Sequence, residues 1–200
     1  MPRKPLTKIE IESFRSSYCQ TAYELYKQED YDAVTMRGIA KATGCSPMMA
    51  YRYFDNKEDV IASLRATLFH RLADTLEAVP DTLAPLEYLR ALATAYAGFA
   101  HDEPHAYRLL YVIHTHQAQI YPETEHAQKR TRKILFDATR EAIESGDIHG
   151  DPKLMAHSFW AWIHGLVSLD LVNQLTQGAS FDELFPAILD SILKVKIRED

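Results

Sequence analysis

Apolar positions recur every three or four residues along most of the chain, and no stretch sustains two-residue alternation. That period predicts an all-α protein. Ile11, Phe14, Tyr18, Ala22 and Leu25 form one stripe on a helix over 8–29, and Ile61, Leu64, Leu68, Leu72, Leu76 and Val79 form another over 57–79, ended by Pro80. Thr82 and Pro85 begin a helix to about 101; Pro104 breaks it, and a short helix follows over about 105–115. Residues 122–146 make a long helix with a polar face, Pro122 in its first turn and Gly146 at its end. A very apolar helix over 151–177 stops at Gly178, and Ser180 with Glu183 forms a capping box for a last helix to about 197.

Residues 34–58, VTMRGIAKATGCSPMMAYRYFDNKE, add two short helices for a total of about nine. Thr35 is an N-cap, Ile39 and Ala40 face inward, and Gly44 ends the first helix in a left-handed conformation. Ser46 caps the second helix, with Pro47 in its first turn, Tyr51, Arg52 and Tyr53 along it, and Phe54 closing it onto the core. Asn56 caps the next helix. Short helix, Gly-containing turn, short helix is the spacing of a helix-turn-helix DNA-binding unit.

The last two helices bear on assembly. Between Ser158 and Leu175 the one formally charged residue is Asp170, and a helix apolar all round must be covered on several sides. The final helix carries one stripe of Phe181, Leu184, Phe185, Ile188, Ile192 and Val195, and a second of Leu189, Leu193 and Ile197. One stripe for the protomer core leaves the other for a second copy, so a homodimer is expected; the alternative is a thick monomer core.

The net charge of −6 argues against a nucleic-acid partner until it is divided. Residues 1–60 carry nine Lys+Arg against nine Asp+Glu, and 61–200 carry thirteen against nineteen, the whole −6. Within 34–57, Arg37, Lys41, Arg52 and Lys57 stand against Asp55 alone, a local +3. Screening confines phosphate attraction to about 8–10 Å at physiological salt, so the local face governs.

Other classes find little support. The N-terminal region lacks a signal-peptide pattern, the longest largely apolar run (Phe159 to Leu169) is about half a membrane span, and Cys19 and Cys45 make no metal motif. No membrane partner, no cofactor and a cytoplasmic setting are expected. HExxH, GxSxG and Gly-rich phosphate motifs are missing. His101 and His105, with His114 and His116, leave a helical metal-dependent enzyme as the alternative of a different class. The basic run Lys129–Lys133 reads as a solvated helix face.

Thr35, Met36, Ile39-Ala40, Gly44-Cys45-Ser46, Tyr51-Arg52-Tyr53-Phe54 and Lys57-Glu58 resemble, in order and spacing, the TetR family of transcriptional regulators. Trp162, His164, Gly165, Leu166 and Leu169, preceded by Asp151-Pro152, resemble the Trp-His-Gly-containing C-terminal domain of one branch of it. Gly38, Cys45 and Ala50 depart from the usual pattern. The resemblance implies a DNA-binding domain over 1–56 and a helical ligand-binding and dimerisation domain over 57–200. It implies a repressor that leaves a palindromic double-stranded operator when a small organic effector alters the spacing of two DNA-binding heads; an activator or ligand-independent regulator is the alternative. It places Thr35, Tyr51, Tyr53 and Lys57 at phosphates, where hydroxyl, phenol and ammonium donors suit. Ser46, Met48 and Met49 would meet base edges, Arg37 is the candidate guanine reader, and Arg52 completes the DNA-facing set. Packing inside the head is the other reading for Tyr51 and Tyr53, and a solvated face for Arg37 and Arg52. For the effector, the candidate lining is Tyr96, Phe99, Tyr107, Tyr111, His114, Phe159, Trp162 and His164, aromatic area with a few polar tips; ordinary core packing is the alternative for each.

Overall fold

The computed structural model describes residues 7–111, 121–175 and 178–194. Among the described residues there are nine helices and no strand: α1 (Lys8–Glu29), α2 (Met36–Ala42), α3 (Pro47–Ala50), α4 (Lys57–Glu77), α5 (Pro85–Asp102), α6 (Pro104–Tyr111), α7 (Pro122–Glu144), α8 (Pro152–Leu171) and α9 (Phe181–Lys194). They form two compact units, divided within α4 between residues 68 and 69, with residues 121–126 belonging to the first.

The first unit is built on local signals. Thr7, Thr35 and Ser46 cap α1, α2 and α3 by accepting the N–H of Glu10, Gly38 and Met49. Asn56 Oδ1 accepts the N–H of Asp59 at 2.9 Å at the head of α4, while Asp59 accepts the N–H of Asp55. Gly44, at φ 69°, makes the left-handed turn between α2 and α3. Tyr18, Val34, Ile39, Ala50, Phe54, Val60 and Ile61 are buried at its centre. The Tyr18 hydroxyl donates to Met36 O at 2.8 Å, tying α1 to the first turn of α2. The division lies beyond the expected 56/57 boundary because the first turns of α4 belong to this core; Thr124 Oγ1 donates to Ala62 O there at 2.8 Å.

In the second unit α5 packs on α6 and α8, and α8 packs on α9. Leu89, Leu92, Tyr107, Leu109, Leu110, Phe159, Ile163, Val167, Leu189 and Ile192 are among its buried side chains. Pro104 starts α6 as well as breaking the preceding pattern, as a proline in a first turn does. The 105–115 prediction runs past Tyr111 and the last-helix prediction past Lys194, in both cases outside the described residues.

Three expectations are corrected. α3 ends at Ala50, and residues 51–53 form a turn in which Arg52 and Tyr53 donate to carbonyls three residues back. α8 ends at Leu171, not near 177, because Asn173 takes the left-handed conformation (φ 53°) and Gln174 N bonds back to Leu169 O at 2.9 Å. The division of α9 into stripes also differs. Leu189, Ile192 and Leu193 are all buried within one protomer, so the Leu189/Leu193 stripe is not available to a second copy.

Candidate nucleic-acid interface and ligand site

Of the nine side chains singled out for DNA, Thr35, Arg37, Ser46, Met48, Tyr51 and Arg52 are exposed on α2, α3 and the turn that follows. Met48 is 80% exposed and Tyr51 55%, so neither side chain is packed into the protomer. Thr35 and Ser46 use their oxygens as cap acceptors and keep their hydroxyl hydrogens available to an outside acceptor. Gly38 has a local reason: a Cβ there would meet Thr35 Oγ1 at 3.1 Å, crowding the cap.

Met49, Tyr53 and Lys57 are half-buried. The Tyr53 ring lies against Phe14, centroids 4.8 Å apart, so of the two phenols Tyr51 faces outward and Tyr53 packs. Lys57 donates to Tyr31 O at 2.5 Å and lies 4.0 Å over the Tyr31 ring. Burial lowers its pKa from the ordinary lysine value, with Asp32 and Glu58 opposing. An ammonium has three donors, so one bond leaves two for a phosphate.

Arg15 escaped the sequence reading. It donates to Tyr53 O and, at 2.7 Å, to Ser63 Oγ; Asp59 lies 3.7 Å away and its guanidinium sits 4.3 Å over the Phe54 ring. It fixes the backbone just after α3. The available signal was a cation flanking the apolar stripe of α1, next to Phe14 and one turn before Tyr18.

In the second unit the structure gathers Tyr96 (α5), Tyr107 and Tyr111 (α6) and His164 (α8). The Tyr96 hydroxyl donates to Tyr107 Oη at 3.2 Å, and Tyr107 meets His164 Nδ1 at 2.5 Å. Burial raises both tyrosine pKa values and lowers that of His164, so phenols and imidazole are neutral. With Nδ1 accepting from Tyr107, the ring proton sits on Nε2. Tyr111 packs on Phe69, Tyr96, Tyr107 and His164, and Trp160 stacks on His164 at 5.3 Å.

Next to this cluster lies an apolar void of about 30 Å³, lined by residues including Leu92, Tyr96, Ile134, Phe159, Trp160 and Ile163. Phe99 is buried one turn beyond Tyr96, and His114 lies outside the described residues. Trp162 is a correction to the expected lining. It is 49% exposed on the outer face of α8, because two residues along a helix turn a side chain by about 200° from its neighbour Trp160. Tyr88 lines a separate, open cleft of about 450 Å³ with Glu77, Asp81, Asp137 and Glu141.

No group of three His, Cys, Asp or Glu side chains fit to hold a metal occurs among the described residues. His101 is engaged otherwise: its Nε2 is 2.8 Å from Asp170 and its ring edge packs on Phe181. In the basic run, Arg130 bonds Asp74 and Glu77, and Lys133 bonds Asp137, which leaves them neutralised on the α7 surface. No helix among the described residues is long and apolar enough to cross a membrane.

Residues 20–64 match the family model described as bacterial regulatory proteins, tetR family, and 89–192 match that described as tetracyclin repressor-like, C-terminal domain. An HTH-type transcriptional regulator of Mycobacterium tuberculosis is 26% identical, over 70% of this chain and 73% of its own. Among solved structures, a protein of unknown function from Rhodococcus sp. RHA1 superposes with a TM-score of 0.78 at 24% identity, covering 97% of each chain. The transcriptional regulator FadR from Bacillus subtilis, in complex with stearoyl-CoA, gives 0.73 at 19% identity, over 90% of this chain and 97% of the other.

Proposed function

The chain belongs to the TetR family of DNA-binding transcriptional regulators, which is not an enzyme class, and from that premise we propose that it is a cytoplasmic homodimeric repressor, free of cofactor, released from a palindromic operator by a small organic ligand. The observation that carries this reading is the capped α2–α3 pair with Thr35, Arg37, Ser46, Met48, Tyr51 and Arg52 exposed around it. A recognition helix of one turn reads few base pairs, so specificity needs two heads on half-sites about one helical turn or more apart.

The outer face of α8 supports the dimer. Leu154, Ala161, Trp162, Leu169 and Val172 are exposed, and with Gly165 they fall within one third of the helix circumference. Leu154, Trp162, Leu169 and Val172 are each about half-exposed (52, 49, 48 and 49%), an apolar stripe that a second copy would cover. α9 adds half-buried Leu184 and Ile188 to the same apolar supply.

The buried Tyr96–Tyr107–His164 ladder beside an apolar void supports a ligand with a large apolar part. FadR, with its bound stearoyl-CoA, indicates that this fold accommodates an acyl chain. A void of about 30 Å³ is far too small for an acyl chain, so entry of such a ligand requires lining side chains such as Trp160 or Ile134 to move. Binding then favours a different arrangement of the second unit, and such differential affinity is what shifts an equilibrium.

The test is an operator titration of a palindrome selected from random DNA, with and without compounds. Tyr51→Ala with Lys57→Ala should lose operator affinity and flatten its salt dependence while the fold persists. Normal affinity in that double variant refutes the contact map. Compounds that raise the melting temperature yet never change operator affinity refute the effector.

A further inference from the structure

Two buried donors in the second unit have no hydrogen-bond partner among the described residues. Arg108 Nε is one and Ser168 Oγ is the other. Ser168 lies beside Tyr107 without completing a bond of good geometry to it. The Arg108 Nη2 donates to Leu171 O at 2.8 Å, which holds the guanidinium at the last turn of α8, three residues beyond Ser168. No carboxylate neutralises it: Arg108 makes no ion pair among the described residues, and Asp170, the acid of that turn, is engaged by His101 at 2.8 Å. A cation partly withdrawn from water, with an N–H left unmade, is costly unless something supplies the negative charge and the acceptor.

We propose that Arg108 and Ser168 receive the carboxylate of an apolar monocarboxylic acid whose chain runs along α8 past His164 and Trp160 into the apolar void. This rests on the effector reading and gives the ligand its head group. A carboxylate supplies an acceptor for each orphan donor and cancels the guanidinium charge. The Tyr107 hydroxyl is committed to His164, which leaves the head-group role to Arg108 and Ser168. Trp160, which both lines the void and stacks on His164, connects the two regions. From Trp160 to Ser168 the helix rises about 12 Å, so the fitting acid has a chain on the order of ten carbons.

The probes are decanoic acid, decan-1-ol and decylamine, each titrated into the full-length protein by calorimetry at neutral pH. Decanoate should bind at least tenfold more tightly than decanol, and decylamine should bind more weakly still. Arg108→Gln should cost decanoate tenfold or more and decanol less than twofold; Ser168→Ala, a milder change, should cost decanoate about threefold. Equal affinity for acid and alcohol overturns the proposal, as does failure of all three to bind. If Arg108→Gln weakens acid and alcohol alike, Arg108 only caps α8 and the proposal falls. Operator titration separates the two readings: decanoate that binds as expected without changing operator affinity overturns the effector reading and leaves this site standing.

Discussion

In the first unit Thr7, Thr35, Ser46 and Asn56 each accept a backbone N–H at the start of a helix, and Arg15 and Tyr18 tie α1 to the backbone on either side of α3. In the second unit Arg108 and Ser168 keep buried polar atoms unpaired, a void lies beside Trp160, and α8 exposes Leu154, Trp162, Leu169 and Val172. Both units are helical. What differs is that short-range caps dominate the first and an uncovered apolar face the second. A reader of DNA works by presenting fixed side chains, so its short helices are capped and clamped. A unit that must respond to other molecules leaves groups unsettled and faces uncovered until those molecules arrive.

The strongest way to break this comparison is at the uncovered face. Leu169→Glu with Val172→Glu places charge on exposed positions, so protomer stability should change by less than about 0.5 kcal/mol. Dimerisation should fail, and operator affinity should fall roughly 10²–10⁴-fold with the loss of bivalent engagement. Sedimentation velocity and operator titration read the two effects. A double variant that remains dimeric would place the interface elsewhere, and α8 would then need another covering. Charge at Leu189 or Leu193 would not test the point, since those side chains are buried in the protomer.

The next effect belongs to the core of the head. Phe54 is 1% exposed, stacks on Tyr18 at 5.4 Å and carries the Arg15 guanidinium 4.3 Å over its ring. Phe54→Ala should cost about 3–5 kcal/mol in urea denaturation. Tyr51→Ala, three residues earlier and 55% exposed, should cost almost nothing in stability while reducing DNA affinity. If the two variants lose stability equally, Tyr51 is packed and the outward reading of that turn is wrong.

What could be read from sequence follows the same division. Thr35, Gly44, Ser46, Pro47 and Asn56 act on their own neighbours, so their roles were visible in a short window. Arg15 and Tyr31 were missed because their partners lie 38 and 26 residues away, at Tyr53 and Lys57. Along α8 the apolar pattern runs all round the helix, so period alone cannot say which side faces inward. Trp160 and Trp162 were therefore both candidates for the aromatic set, and the structure puts Trp160 against His164 and the void and turns Trp162 outward. Arg108 and Ser168 carry no local signal: their meaning lies in what the fold fails to put beside them.

Smaller effects sharpen the account of the capped head. Thr35→Ala and Ser46→Ala each remove a side-chain oxygen that accepts an N–H, at 3.0 and 3.2 Å, and each should cost about 1 kcal/mol. Gly at either position should cost only a few tenths, since backbone can be solvated there. Thermal denaturation of the four variants distinguishes capping from packing. Equal losses for Ala and Gly would mean that these hydroxyls do not cap. A larger loss of operator affinity than of stability in the Ala variants would add the expected phosphate contacts.

The smallest expected effect lies in the second unit and is a matter of pH. His164 is neutral in the fold because burial lowers its pKa, whereas in the unfolded chain it titrates near 6.5. Below that value the unfolded state binds a proton that the folded state refuses, so stability is complete above about pH 6.5 and declines as pH falls below it. The decline ends at the folded pKa, where both states are protonated. Protonation also removes the Nδ1 lone pair that accepts the Tyr107 hydroxyl at 2.5 Å, so the cost is local to the aromatic cluster. His164→Gln, which keeps an acceptor and cannot titrate, should flatten the acid limb of the melting-temperature profile between pH 6.5 and 5 relative to wild type. A head-only substitution such as Tyr51→Ala should leave that limb unchanged. If His164→Gln has the same acid limb as wild type, the ladder's imidazole is not held neutral by its surroundings. The contrast between the units would then rest on Arg108 and Ser168, the void and the outer face of α8.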